Sequence, residues 1–233
     1  ITIVGTTGQA YATGLRFVQF YFGLPVAMVI LSLTVVPFFT RARVYTAYEY
    51  LERRFDGKTR SLAAALFLLQ RGLAAGLTLY APALILSVLL GWNLSLVCAL
   101  LGGLVVLSIT LGGARAVSHT QALQFTIIIA TMIVAFVVVL RALPGGTSAV
   151  DALALAGHMG RMNALDLEFD PDSRYNLWSG LIGGFFLQLA YFGTDQSQVG
   201  RYLGGASVAE SRLGLLFNGV FKLPMQFFIL MLG

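Results

Sequence analysis

The 233 residues are 58% hydrophobic and 11% charged, with a net charge of +5, whereas a soluble domain holds roughly half its length as apolar residues. About 20 mostly apolar residues cross a hydrocarbon core, so this chain can furnish roughly six or seven spans and overfills a single water-soluble core. Disorder, collagen-like repeats and a disulfide scaffold are also excluded: the single cysteine, Cys98, has no partner for a bridge and reads as a buried small hydrophobe in the run Leu94 to Leu101.

In chain order, residues 1 to 14 (ITIVGTTGQAYATG) are too broken by Gly and Thr for a regular span and fit the second half of an interrupted helix. Apolar segments follow at 15 to 39, 61 to 90, 92 to 111, 120 to 143, 177 to 199 and 213 to 233. Lipid offers no partner to a free amide, and these runs are about twice the ~10 residues of a barrel strand, so helices are predicted. The start at Ile1, without initiator Met or basic n-region, and the stop at Gly233 after an apolar run make the chain an expected fragment with no cleavable signal peptide.

Three hydroxyl-x-x-Glu/Gln sequences fit the capping box: Thr46 to Glu49, Ser118 to Gln121 and Ser207 to Glu210. The first predicts a helix over 46 to 55, with Tyr48, Leu51 and Phe55 on one face, lying at the membrane interface. The other two begin spans. Gly pairs at 102/103, 112/113, 183/184 and 204/205 suit close helix contact or sharp turns.

Basic residues set the orientation. Arg41, Arg43, Arg53, Arg54, Lys58, Arg60, Arg115, Arg201 and Arg212 fall on one side, which is therefore cytoplasmic. Arg16, Arg141, Arg161 and Arg174 fall on the other, with Asp151, Asp166, Glu168, Asp170 and Asp172 in the long 144 to 176 loop. Because the basic residues line membrane edges instead of clustering on a soluble face, no nucleic-acid partner is expected. The expected organisation is one transmembrane domain over 1 to 233. A cytoplasmic loop at 41 to 60 carries the interfacial helix, and an extracytoplasmic loop lies at 144 to 176.

A charge at mid-membrane costs at least ~2.5 kcal/mol, so it faces a bundle interior or a cavity and has a partner. Arg71 lies roughly 15 Å into its span, and Lys222 at a similar depth in the last. Two readings are open for each: structural, by snorkelling or bonding backbone carbonyls, or functional, on a substrate or ion path. The segment 177 to 199 carries a polar stripe of Gln188, Tyr191, Thr194, Asp195, Gln196 and Gln198, with Gly193 as the expected break. Asp195 either belongs to that stripe or pairs with Arg201 or Arg115, and Tyr191 and Phe192 are equally suited to packing. No H-E-x-x-H, G-x-S-x-G or P-loop occurs, His119 and His158 stand apart, and no enzyme is expected.

With the spans placed, five segments carry a family resemblance. They are Val44-Tyr45-Thr46 through Tyr50-Leu51-Glu52-Arg53-Arg54-Phe55, then Leu79-Tyr80-Ala81-Pro82-Ala83-Leu84, then Gly112 to Val117 with Thr120 and Gln124. The last two are Tyr191-Phe192-Gly193-Thr194-Asp195-Gln196 with Val199 and Arg201, and Phe221-Lys222-Leu223-Pro224. In this order the sequence resembles the sodium:solute symporter family, which includes sodium/galactose, sodium/proline, iodide and monocarboxylate carriers. The resemblance implies an all-α, polytopic membrane protein with part of the leucine-transporter-like five-plus-five inverted-repeat fold, about six full spans plus a half helix. It implies a substrate site at Thr2, Tyr21, Gln188, Tyr191 and Lys222, with Ala75 at a sixth family position, and Tyr191 as an inner gate. Arg71 joins the expected site as a buried cation. Tyr21 and Ala75 stand where the sugar carriers have polar residues.

The resemblance further implies sodium as coupling ion, with its main site outside this segment. Gln121 replaces the family's Asp in Trp-Thr-Asp, so it can cap a helix but cannot attract a cation by charge. The function expected is sodium-coupled symport of a small polar or anionic solute by alternating access. The protein is expected to be integral to the bacterial inner (plasma) membrane, with the lipid bilayer and the solute as partners. The alternative is the membrane input module of a histidine kinase on the same fold, separated from a carrier by whether a kinase core follows residue 233.

Overall fold

In hydrocarbon a backbone can satisfy itself only as a helix or a closed barrel, and among the described residues this chain has no strand. The structure, a computed structural model, describes residues 2–44, 46–144, 147–170, 172–205 and 207–233, with the side chains of 2, 4 and 114–119 outside the described set. In order, α1 (Thr2–Thr13) leads into a 3₁₀ segment (Gly14–Tyr21), α2 (Gly23–Leu33), α3 (Val35–Ala42), α4 (Ala47–Arg54) and α5 (Gly57–Leu90). Then come α6 (Leu94–Ala142), α7 (Ala149–His158), a π-helical turn (Ser179–Gly183), α8 (Gly184–Thr194), α9 (Gln196–Leu203) and α10 (Val208–Met231).

Among the described residues, five helical stretches are long and apolar enough to cross a membrane: Gly5–Ala42, Gly57–Leu90, Leu94–Gly113, Thr120–Ala142 and Val208–Met231. Several expectations need correction. Residues 1 to 14 are not among these: α1, Thr2–Thr13, has 12 residues, too few for a span and in keeping with the expected half helix. The expected span 15 to 39 begins as the 3₁₀ segment and is interrupted at Thr34. There Pro37, which has no N–H, leaves the Leu33 carbonyl without its helical donor. The expected span 177 to 199 is not one helix. It breaks at Asp195 (φ −71°, ψ 116°), two residues beyond Gly193, which stays helical. The Asp195 carboxylate accepts from the Ser197 amide at 2.8 Å and from its hydroxyl, offering the chain a local alternative to the helical ladder.

The chain divides into two compact units. One comprises Ile1–Val4 and Leu69–Ala149, thus most of α5 and all of α6. Asn93 caps α6, its side-chain oxygen accepting from the Ser95 amide at 2.9 Å. Gly113 kinks it with φ 62° and ψ −173°, a conformation open in practice to glycine alone. Ala83, Val97 and Met132 are buried here, and Cys98 is only half-buried rather than buried as expected.

The other unit comprises Gly5–Leu68 and Val150–Gly233. Its centre is α2, which packs on both α8 and α10, so that Leu24, Met28 and Leu31 form a core with Val36, Val199 and Leu215. A second cluster joins Ala10, Leu15, Val18 and Leu230. Backbones meet closely at Gly180 and Gly184, where a Cβ would overlap the carbonyl oxygens of Gln19 and Phe20. Gln19 is fully buried and fully used: its amide nitrogen donates to the Arg16 and Tyr175 carbonyls, and its oxygen accepts from the Asp166 amide at 3.0 Å. Arg161 donates to the Tyr11 and Ala12 carbonyls at 2.6 and 2.7 Å, satisfying groups that the end of α1 leaves free.

Candidate functional site

The bundle around α2 holds four of the six predicted site residues: Tyr21, Gln188, Tyr191 and Lys222. Arg71 lies in the other unit, partly buried on α5, and is not an unpartnered charge. Ala75 is exposed on the same helix, and the side chain of Thr2 lies outside the described residues.

Tyr21 ends the 3₁₀ segment half-buried, its ring edge-on to Phe17 and Phe20 at 5.8 and 5.7 Å. Gln188 is buried on α8, 9% exposed. Tyr191, one turn on, meets Phe192 edge-to-face at 5.0 Å, and Phe192 packs on the core. Lys222 is partly buried on α10, two residues before Pro224. Among the described residues neither Gln188 nor Lys222 has a hydrogen-bond or ion-pair partner. A partly buried ammonium in an apolar span with no carboxylate beside it is poised to favour an anion.

The break at Asp195 organises one end of this bundle. Gln198 on α9 donates its side-chain nitrogen to the Tyr191 hydroxyl at 2.8 Å, stitching α8 to α9 across the break. Asp195 caps α9, its carboxylate accepting from Ser197; Arg115, one of its two expected ion-pair partners, lies outside the described side chains. The Gln196 side-chain oxygen accepts from the Ala47 amide at 2.9 Å, tying the start of α4 to the start of α9. Burial pushes the Tyr48 phenol above its usual value, a backbone bond with Gln196 opposes this, and the Asp195 charge adds to the rise.

Two of the three expected N-caps are seen in their hydroxyl half. Thr46 accepts from the Glu49 amide at 3.0 Å and Ser207 from the Glu210 amide at 3.1 Å; the Ser118 side chain is outside the described set. Helix α4 spans Ala47–Arg54 instead of 46 to 55, and Phe55, predicted on its apolar face, is 64% exposed.

Sequence reasoning missed Gln226. It is fully buried one turn beyond Lys222, with both amide atoms unpartnered among the described residues. The signal was present as one amide within the apolar run from Leu223 to Leu232.

The pattern of the sodium:solute symporter family matches residues 1–233. The chain belongs to the sodium:solute symporter family. Sodium-coupled monocarboxylate transporter 2 of Bos taurus is 32% identical over 221 residues, covering 94% of this chain and 35% of that protein. The sodium/iodide cotransporter of Homo sapiens is 32% identical over 222 residues, covering 94% and 34%. This symporter-family chain therefore spans about a third of the length of the curated relatives it matches. A Na+-coupled sialic acid symporter solved in a substrate-bound outward-open state is similar with a TM-score of 0.84 and 22% identity, over 99% of this chain and 48% of that one. That likeness establishes the fold: an all-α membrane protein carrying part of the leucine-transporter-like inverted-repeat architecture.

Proposed function

We propose that the protein is a secondary active transporter that couples sodium to the entry of a small anionic solute by alternating access. The observation that carries the reading is Lys222, a partly buried ammonium without a partner among the described residues, in a helix packed on α2. Family membership and the sodium-coupled monocarboxylate and iodide transporters among its relatives support the same class of solute. Lys222 supplies the charge that holds the anion, and the Gln188 amide supplies a neutral donor. Tyr21 offers an aromatic wall. Tyr191, bonded to Gln198 across the Asp195 break, controls the inner exit, as discontinuous helices permit in secondary transporters. Sodium is cargo moving with the solute, its main site lying in sequence outside this segment. The protein is oriented with the 41 to 60 loop in the cytoplasm and the 144 to 176 loop outside.

The test is uptake of a labelled monocarboxylate panel by the full-length protein in vesicles, with and without an inward sodium gradient. Sodium-dependent accumulation of at least one anion is expected. Equal uptake in both conditions, or none for any solute, overturns the proposal.

A further inference from the structure

The interruption at Thr34 opens a groove of about 540 Å3 beside α3, walled by Leu33, Pro37 and Phe38 and flanked by Arg41 and Arg212. It belongs wholly to the α2-centred unit. Its walls are apolar and open: Leu33 is 63% and Phe38 46% exposed. No acidic side chain lines it.

The neighbouring cations are already engaged. Arg53 donates to the Ala42 and Arg43 carbonyls and pairs with Glu49. Arg54 donates to the Tyr50 hydroxyl and stacks over Phe55. Arg60 pairs with Glu52. The two groove arginines differ. Arg41 has no partner among the described residues, and Arg212 spends only its Nε, on the Ser32 carbonyl at 3.0 Å. Two guanidinium groups thus stand with free donors at the mouth of an apolar slot. The slot lies at the end of a span where α3 gives way to the basic 41 to 60 segment, the depth at which phosphate headgroups lie.

We propose that this groove is a binding site for one anionic phospholipid of the cytoplasmic leaflet, its phosphate held by Arg41 and Arg212 and an acyl chain lying along Leu33, Pro37 and Phe38. A planar guanidinium bonds phosphate oxygens through parallel N–H groups, which a zwitterionic headgroup, with its own ammonium beside the phosphate, answers less well. Basic pockets between helices on the cytoplasmic side recognise anionic headgroups on this principle. The site is separate from Lys222 and stands whether or not the solute is an anion; it rests only on the chain spanning a membrane with its basic edge inside.

Native mass spectrometry of the full-length protein in detergent, titrated with phosphatidylglycerol or phosphatidylcholine, tests this. One phosphatidylglycerol is expected to be retained in preference to phosphatidylcholine. Arg41→Gln should weaken it about fivefold, as one surface cation is worth against an anionic lipid, and Leu33→Trp should displace it with both arginines in place. Arg54→Gln should leave it unchanged. Because Arg212 also supports Ser32, Arg41→Gln is the primary variant. Equal retention of the two lipids, full retention by Arg41→Gln, a matching loss in Arg54→Gln, or displacement by inorganic phosphate alone would each overturn the proposal.

Discussion

The most apolar 18-residue windows of the stretch Gly5–Ala42 and of helix α5 have nearly the same mean hydropathy, 2.2 and 2.1, yet 44% of the first window is buried inside the protein and only 6% of the second. The windows in the two spans of α6 are more apolar still, 2.5 and 2.7, and equally bare, 6% of each being buried. Hydropathy therefore reports that a segment leaves water, and not what covers it. What marks the covered region is its small and polar residues: Gly180 and Gly184 let backbones meet, and Gln19, Gln188, Gln226 and Ser211 are buried among apolar neighbours. Lipid would reward neither feature.

Substitutions that read this contrast fall in order of size. Gly180→Leu drives a side chain into the Gln19 carbonyl and should abolish the folded bundle, a loss of ~3 kcal/mol or more. Gly103→Leu, with open space around its Cβ position, should leave the melting temperature in detergent unchanged or slightly raised. Equal loss in both would erase the distinction between the two regions. Next, Lys222→Gln removes a charge-assisted contact and should raise the KM for an anionic solute by about tenfold or more, measured as sodium-driven uptake. Arg71→Gln, at a cation that already has a partner, should move KM far less.

The third pair compares two buried amides. Gln19→Leu breaks three hydrogen bonds and should cost ~1–3 kcal/mol. Gln226→Leu removes an amide with no described partner and should be neutral or stabilising by thermal melting. If Gln226→Leu instead destabilises or abolishes uptake, that amide holds a ligand. The smallest effect concerns Asp56, whose carboxyl the Thr59 hydroxyl and amide hold below its ordinary value of 3.8. A lowered folded-state pKa means the stabilising contact is complete above the ordinary value and is lost as pH falls through the lowered one. Amide exchange at Thr59, corrected for intrinsic rate and followed from ~pH 5 to ~pH 2, should accelerate, whereas Asp56→Asn should flatten that dependence.

Features set by neighbours in sequence were legible. Thr46 and Ser207 cap where the hydroxyl-x-x-Glu spacing places caps, and the polar stripe after Gln188 does mark a broken helix. The break was misplaced by two residues because glycine was weighed for its freedom, whereas Asp195 breaks the helix by hydrogen-bonding forward to Ser197. Features set by residues far apart in sequence were not legible. Nothing local to Gln19 announces that it will clasp Asp166 and Tyr175, and nothing local to Arg161 announces that it will finish α1. The residue types of the candidate set on α8 and α10 were readable in the sequence, and the division that puts Arg71 in the other unit was not.

Helix α5 has 34 residues, so it measures ~51 Å at 1.5 Å per residue, while the hydrocarbon it must cross is ~30 Å thick. Trp92, two residues past its end and half exposed, suits the outer headgroup boundary that tryptophan favours. About 20 residues counted back from Leu90, enough for one crossing, end at Arg71. Arg71 so placed can reach phosphate with an ordinary extension of its side chain. Lys222 stands nine residues, ~14 Å, from the end of its own helix at Met231. Two cations that look alike in sequence thus differ in how much helix extends beyond them.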